Sequence, residues 1–255
     1  MSKIRHMPLA PTKVTEHGSG AFIDRHRHDQ HQLVYVSRGV IAVQTEAGGW
    51  VAAADRAVWI PAGCWHEHRF HGASAFHTIG FPPADPPLPA DAPTVVAVGA
   101  LLRELLVAGT DPALPRDEEL RLRAVIRDRL RRAPQEPVAL PTARDGRLAA
   151  ACRLAADRLD EPQTLPSLAR LAGASERTLA RLFRAEFGMT YPQWRTNVRV
   201  YRAMILLAGG LPVTAVAHRC GFGTPSAFVD TFRRATGLTP GVYQARERAG
   251  GAPGG

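Results

Sequence analysis

The sequence predicts an α+β chain: a small β-barrel in the N-terminal third, then an all-α domain with two helix-turn-helix units joined by a long helix. Three observations carry this. The apolar period changes from two to about 3.6 residues beyond position 95. The charge is split, because residues 1–140 hold 16 Lys and Arg against 15 Asp and Glu, while residues 141–255 hold 16 against 8. Histidine is split the other way, with nine of ten before residue 80 and only His218 after it. Two charge regimes and two histidine regimes predict two domains with different tasks. The basic excess in the second half is the footprint of a polyanion-binding domain.

Composition excludes several classes. With 255 residues, 45% hydrophobic and 22% charged, the chain is neither disordered nor collagen-like. No run of about 18 apolar residues predicts a membrane helix, so no membrane partner is expected. The first residues lack the apolar stretch of a secretory signal. Cys64, Cys152 and Cys220 are too few and too scattered for a disulfide framework. A cytoplasmic protein is expected.

Taken in order, residues 20–82 read as strands. Gln32–Ser37 and Val40–Thr45 are β-branched and aromatic runs flanking Arg38-Gly39, which predicts a hairpin there. Ala57–Ile60 stops at Pro61-Ala62-Gly63, and Ala75–Phe81 stops at Pro82-Pro83. Six prolines in residues 82–93 predict a linker. Helical stripes follow at Val98, Leu101, Leu102, Leu105 and Leu106, and at Leu120, Leu122, Val125, Ile126 and Leu130. Residues 83–144 are therefore expected to be a proline-rich linker and helical dimerisation region. Leu101, Leu105, Leu122 and Leu130 would form the face shared in a homodimer, or would pack on the chain's own barrel.

From residue 145 to 247 every segment is helical in pattern, near 145–160, 165–172, 176–187, 191–208, 213–219, 225–234 and 240–247. Gly173 allows a sharp turn and Ser175 is an N-cap. The helix after it has Leu179, Leu182 and Phe183 inward, with Arg177, Ala180, Arg181 and Arg184 outward. The plan repeats 49 residues later, where Phe228 and Phe232 take the inward positions. Residues 248–255 are expected to be a disordered tail.

Fixed spacings across Leu165–Gln244 resemble the DNA-binding domain of AraC-type transcription regulators. They are Ser175-x3-Leu179-x-Arg181-Leu182-Phe183, Gly188-x3-Pro192, Arg199-x3-Ala203-x2-Leu206-Leu207, Gly221-Phe222-x3-Ser226-x-Phe228-x3-Phe232 and Gly237-x-Thr239-Pro240-x2-Tyr243. The resemblance implies double-stranded promoter DNA as partner and RNA polymerase as a further one. It puts Arg177, Ala180 and Arg181 on a base-reading face, beside Arg184. Arginine there suits bidentate bonding to guanine. In the second unit it puts Ser226 and Asp230 at groove positions, with Arg233 and Arg234 toward backbone. Asp230 stands where a basic residue is common, which predicts weaker reading by this unit.

In the first half, His26-x-His28-x3-Gln32-x6-Gly39 and Pro61-x-Gly63-x2-His66 resemble a cupin barrel, with Gln32 in the place of the usual acid. The resemblance implies an effector-sensing barrel in residues 1–82. Its metal set would be His26, His28, Gln32 and His66, with His31 or His68 as further donors, holding Ni, Zn, Mn or Fe. Imidazole suits all four metals. The other reading is a small organic effector lined by the same histidines. Trp59 and Trp65 would be pocket walls or core. A metal-dependent cupin enzyme carrying a nucleic-acid domain is the alternative function. It is disfavoured, and no enzyme is expected, because Asp29 and Glu67 are the only acids beside the cluster and strand alternation turns both away.

Overall fold

The computed structural model describes residues 4–89, 91–136 and 139–249. The tail expected at 248–255 lies largely outside them. Contacts divide the chain near residue 140 into a sheet-rich unit and a helical unit spanning Leu140–Arg246.

The sheet-rich unit holds strands β1 (Arg5–Met7), β2 (Lys13–His17), β3 (Phe22–His28), β4 (His31–Thr45), β5 (Gly48–Ala52), β6 (Arg56–Ile60), β7 (His66–Phe81), β8 (Thr94–Ala97) and β9 (Gln135–Glu136). Helices α1 (Ala100–Ala108) and α2 (Arg116–Arg132) lie between β8 and β9 in the chain. The strand order is β1-β3-β7-β4-β6-β8-β9, with β5 on β4 and β2 on β7. The 16-residue β7 meets β3 near its start and β2 further along.

The hairpin expected at Arg38-Gly39 does not form. β4 runs straight through this point and stays paired with β7 on both sides, with register shifts at residues 36–40. Gly39 has φ +79°, and a Cβ there would lie 2.2 Å from Ser74 Oγ and 2.8 Å from Ala73 O. The glycine thus serves a bulge pressed onto the neighbouring strand. The tight connection comes later, where Thr45 leads through Glu46 and Ala47 to β5.

Alternation assigns the two faces. Leu33, Tyr35, Ala57, Trp59, Ile79 and Phe81 point to one side, where Leu102 and Leu106 of α1 and Ile126 and Leu130 of α2 cover them. Val34, Val36, Val58, Ile60, Phe70 and Phe76 point to the other, and meet Ile41, Val43 and Trp50 as the sheet curls on itself. Trp59 is therefore core rather than a pocket wall.

This packing changes the expected boundaries. Sheet pairing does not end at residue 82, because β8 pairs with β6. The proline-rich stretch is docked: Leu88 is buried in the same core, and Asp85 faces Arg127 and Arg131 of α2. Of the four leucines considered for pairing, Leu130 is buried and Leu105 and Leu122 pack against the unit's own core. Leu101 alone stays exposed.

His77 ties the bulge of β4 to the end of α1. Thr110 Oγ1 donates to the carbonyls of Leu106 and Val107, so it accepts from His77 Nδ1 at 2.7 Å. His77 Nε2 is then left to accept from the Ser37 hydroxyl at 2.8 Å. Burial, with Arg103 nearby, holds this imidazole down at about 4, so it is neutral as the pattern requires.

The helical unit contains α3 (Gly146–Asp157), α4 (Leu165–Leu171), α5 (Glu176–Phe187), α6 (Tyr191–Ala208), α7 (Val213–Arg219), α8 (Pro225–Thr236) and α9 (Pro240–Ala249). Side-chain caps fix the starts: Thr164 for α4, Ser175 for α5, Thr190 with Gln193 as a capping box for α6, and Thr224 for α8. Leu168, Leu179, Leu182, Phe183, Tyr191, Trp194 and Val198 form one core with α3. The rings of Phe222, Phe228, Phe232 and Tyr243 form a chain in the second unit, with successive centroids 5.1–5.6 Å apart.

Gly221, in the turn between α7 and α8, has φ +71°, and a Cβ there would sit 1.9 Å from Leu159 O. Gly237 shares the conformation but has open space around it. Gly221→Ala is expected to lower stability by more than the about 1–2 kcal/mol of the left-handed backbone alone. Gly237→Ala should lose only that amount. Urea unfolding of the two variants measures the difference, and equal losses would contradict the close approach.

Candidate functional site

The first candidate site is a histidine cluster on the self-enclosed face of the sheet. His26 and His28 are the inward residues at the end of β3, and His66 and His68 the inward residues at the start of β7. His26 lies directly across from His66. The turn before β7 is anchored by Gly63 N–H donating to His28 O at 2.7 Å and Ala62 N–H donating to His31 Nδ1 at 3.1 Å. The four rings crowd together: His26 is 4.2 Å from His66, 5.0 Å from His28 and 5.7 Å from His68, centroid to centroid. None of the four is more than 5% exposed.

The outer nitrogens are held by carbonyls. His26 Nδ1 donates to Asp24 O at 2.7 Å, His28 Nδ1 to Met7 O at 3.1 Å and His66 Nδ1 to Cys64 O at 3.0 Å. Each Nε2 is thereby left as the lone-pair nitrogen. Gln32, carried by β4, places its amide 3.0 Å from His66 Nε2. Because that nitrogen has no proton to give, the amide must turn its NH2 toward it. His28 Nε2 and His68 Nδ1 are buried without a hydrogen-bond partner.

Burial is the main reason all four imidazoles titrate low. His66 is held down at about 3, and His68 well below the usual histidine range, with neighbouring imidazoles adding to both effects. His26 and His28 shift the same way, again chiefly through burial. The cluster is therefore neutral at pH 7, the state in which imidazole ligates a metal. Burial pushes the Cys64 thiol up to about 12, which leaves it a poor donor.

The acids beside the cluster are engaged elsewhere. Glu67 pairs with Arg25 at 2.9 Å and Asp29 with His6 at 2.8 Å. Of the residues expected from sequence, His26, His28, Gln32 and His66 do come together, and His68 joins them. His31 does not, since its ring stacks on Trp59 at 5.0 Å. Trp65 lies under the Arg25 guanidinium at 4.4 Å.

The second candidate site is the outer face of α5. Arg177, Arg181 and Arg184 are exposed and Ala180 is half-buried, opposite the buried stripe of Leu179, Leu182, Phe183 and Phe187. On α8, Ser226, Asp230, Arg233 and Arg234 are all exposed, and Arg234 Nε donates to the Asp230 carbonyl at 3.3 Å. Sequence reasoning missed Arg195, and it took Arg199 only as a mark of the family spacing. Arg195 donates to the carbonyls of Leu159, Glu161 and Gln163, and Arg199 stacks on Phe222 at 5.4 Å. Both are fixed within the unit, which separates them from the exposed arginines of α5.

Comparison with known proteins matches this division. A family described as "Helix-turn-helix domain" matches residues 168–246, and one described as "AraC-like ligand binding domain" matches residues 14–120. The HTH-type transcriptional regulator NimR of Escherichia coli (strain K12) is 30% identical over 224 residues, covering 87% of this chain and 82% of that protein. The HTH-type transcriptional activator RhaR of Salmonella schwarzengrund (strain CVM19633) is 34% identical over 90 residues, covering 35% of this chain and 32% of that protein. The crystal structure of the DNA-binding domain of AdpA in complex with a target DNA is 38% identical, with a TM-score of 0.39, and covers 41% of this chain and 96% of that one. The chain belongs to the AraC family of DNA-binding transcription regulators, with an AraC-like ligand-binding domain preceding its helix-turn-helix region.

Proposed function

We propose that this regulator reads double-stranded promoter DNA mainly through α5, and that a ligand held at the buried histidine cluster governs its occupancy on DNA. The observation that carries the first part is the row of exposed arginines on α5, set opposite a fully apolar stripe. Arg177 and Arg181 reach base edges and Arg184 flanks them. α8 contributes less, because Asp230 repels phosphate while Arg233 and Arg234 attract it. The effector is a metal ion or a small organic molecule lined by these histidines. A homodimer would draw on Leu101 of α1 and Leu120 of α2, which are 53% and 51% exposed. Sedimentation of the full chain at micromolar concentration tests it, and a clean monomer refutes it. RNA polymerase is the partner that a DNA-bound regulator would meet.

The DNA assignment is tested on full-length protein bound to a site found by a genomic binding map. Arg181→Ala is expected to lose about 1–3 kcal/mol of specific binding and to relax base preference at one position. Binding should weaken steeply with salt as arginines displace condensed counterions. If Arg181→Ala weakens specific and random DNA equally, Arg181 is a phosphate contact and the base-reading role fails.

A further inference from the structure

We propose that the ligand of the histidine cluster is a borderline divalent cation such as Zn, Co, Ni or Cu, bound by His26, His66 and His68 in a site without any carboxylate. This rests on the reading that the cluster is the effector site, and it names the chemistry of that effector. Three independent observations support it.

The first is convergence. One ligand nitrogen from each of His26, His66 and His68 lies within 4.8 Å of the other two, and all three residues are buried. Nitrogens bound at about 2.0–2.1 Å in a tetrahedral site sit about 3.3 Å apart, so loading draws the three nitrogens together by up to about 1.5 Å.

The second is polar accounting. His68 Nδ1 and His28 Nε2 are buried with no hydrogen-bond partner. Leaving such an atom unmet is destabilising, because its desolvation is not repaid. A cation accepts the His68 lone pair directly, and His28 Nε2 lies at hand as a further donor. An apolar organic molecule would meet neither. The outer partners are also in place, because carbonyls of Asp24 and Cys64 fix the tautomers that turn Nε2 of His26 and His66 inward.

The third is donor type. The carboxylates of Glu67 and Asp29 are bound to Arg25 and His6, and the side chain that β4 brings to the cluster is the amide of Gln32, which contacts His66 Nε2. Imidazole can ligate Mn and Fe as well, but a set made only of imidazoles holds Co, Ni, Cu and Zn more tightly, following the affinity order of the divalent series. His68 therefore takes the ligand place that a side-chain oxygen on β4 would otherwise fill. Loading requires the Gln32 amide to release His66 Nε2.

The test uses full-length protein freed of metal with a chelator, then titrated separately with Zn, Co, Ni and Mn. The expected result is one tightly bound Zn or Co per chain, with visible Co absorption of a low-coordinate nitrogen site. Mn should fail to saturate at the same concentrations. His68→Phe, which fills the same space beside Phe76, should remain folded by circular dichroism and lose on the order of 100-fold or more in Zn affinity, at least the cost of a lost outer partner. If that variant does not fold, His26→Ala replaces it with the same expectation. His218→Ala, in the helical unit, should bind as wild type. No saturable Zn or Co binding, Mn binding as tight as Zn, or unchanged affinity in the His68 variant would each overturn the proposal. Promoter occupancy is measured on the same samples. Tight Zn binding with unchanged occupancy would sink the regulatory reading alone, whereas occupancy that responds to an organic ligand but not to Zn would sink the metal assignment alone.

Discussion

Phe183→Ala is expected to be among the most damaging substitutions in the helical unit, at about 3–5 kcal/mol. The Phe183 side chain is fully buried, and its ring lies 5.6 Å, centroid to centroid, from each of Phe187, Tyr191 and Trp194. Truncation removes the ring at the centre of that group and leaves a cavity between α5 and α6 that rigid neighbours cannot fill. A loss of this size approaches the whole stability of an ordinary domain. DNA binding should fail because α5, the helix proposed to read DNA, is no longer held. Urea unfolding of the full chain, followed by the helical signal, measures this. Arg181→Ala, which touches only the surface, should leave the unfolding midpoint unchanged while weakening specific DNA binding. A Phe183→Ala protein as stable as wild type would mean that the aromatic group is not the core of this unit.

A second large effect is expected from pH. A histidine kept neutral by burial binds no proton in the folded protein but binds one once the chain unfolds, with a midpoint near 6.5. Stability is thus fully present above 6.5 and is lost as pH falls from there toward the folded value. For His66, held at about 3, linkage gives a loss on the order of 1 kcal/mol at pH 5.5 that grows further by pH 4.5. His26, His28 and His68 shift in the same direction and add to it. Thermal melting of the metal-free protein between pH 7.5 and 4.5 should show a steep fall in the sheet-rich unit. A flat curve would show that the cluster accepts protons while folded.

The sequence revealed the helical half almost element by element, because each helix there carries its own signals. Ser175 marks a start, Gly173 a turn and Gly188 a stop, and the apolar stripe sets the phase between them. The histidine cluster was legible for a similar reason, since strand alternation alone puts His26 with His28 and His66 with His68. The bulge at Gly39 was not legible. A glycine between two β-branched runs reads locally as a turn, and only Ser74, 35 positions away, makes it a bulge. Docking of α1 and α2 was equally non-local: Leu130 carries the same stripe whether it meets another chain or Trp59 of its own. His77, Ser37 and Thr110 gave no sequence signal, as they converge from three separate elements.

The central helix α6 has a consequence for how this domain tolerates change in length. Its 18 residues span about 27 Å. Trp194 and Val198 face the first helix-turn-helix unit, and the helix also contacts α7 and α8 of the second. One inserted residue in its middle would rotate everything beyond it by about 100° and advance it by about 1.5 Å. Met204 and Leu207, buried where they stand, would swing out of register, and the helices packed beyond them would turn with respect to α5. Point substitutions on the outer side of α6 are a mild perturbation by comparison. The helix acts as a ruler and a protractor at once, so its residue count is held more tightly than its composition.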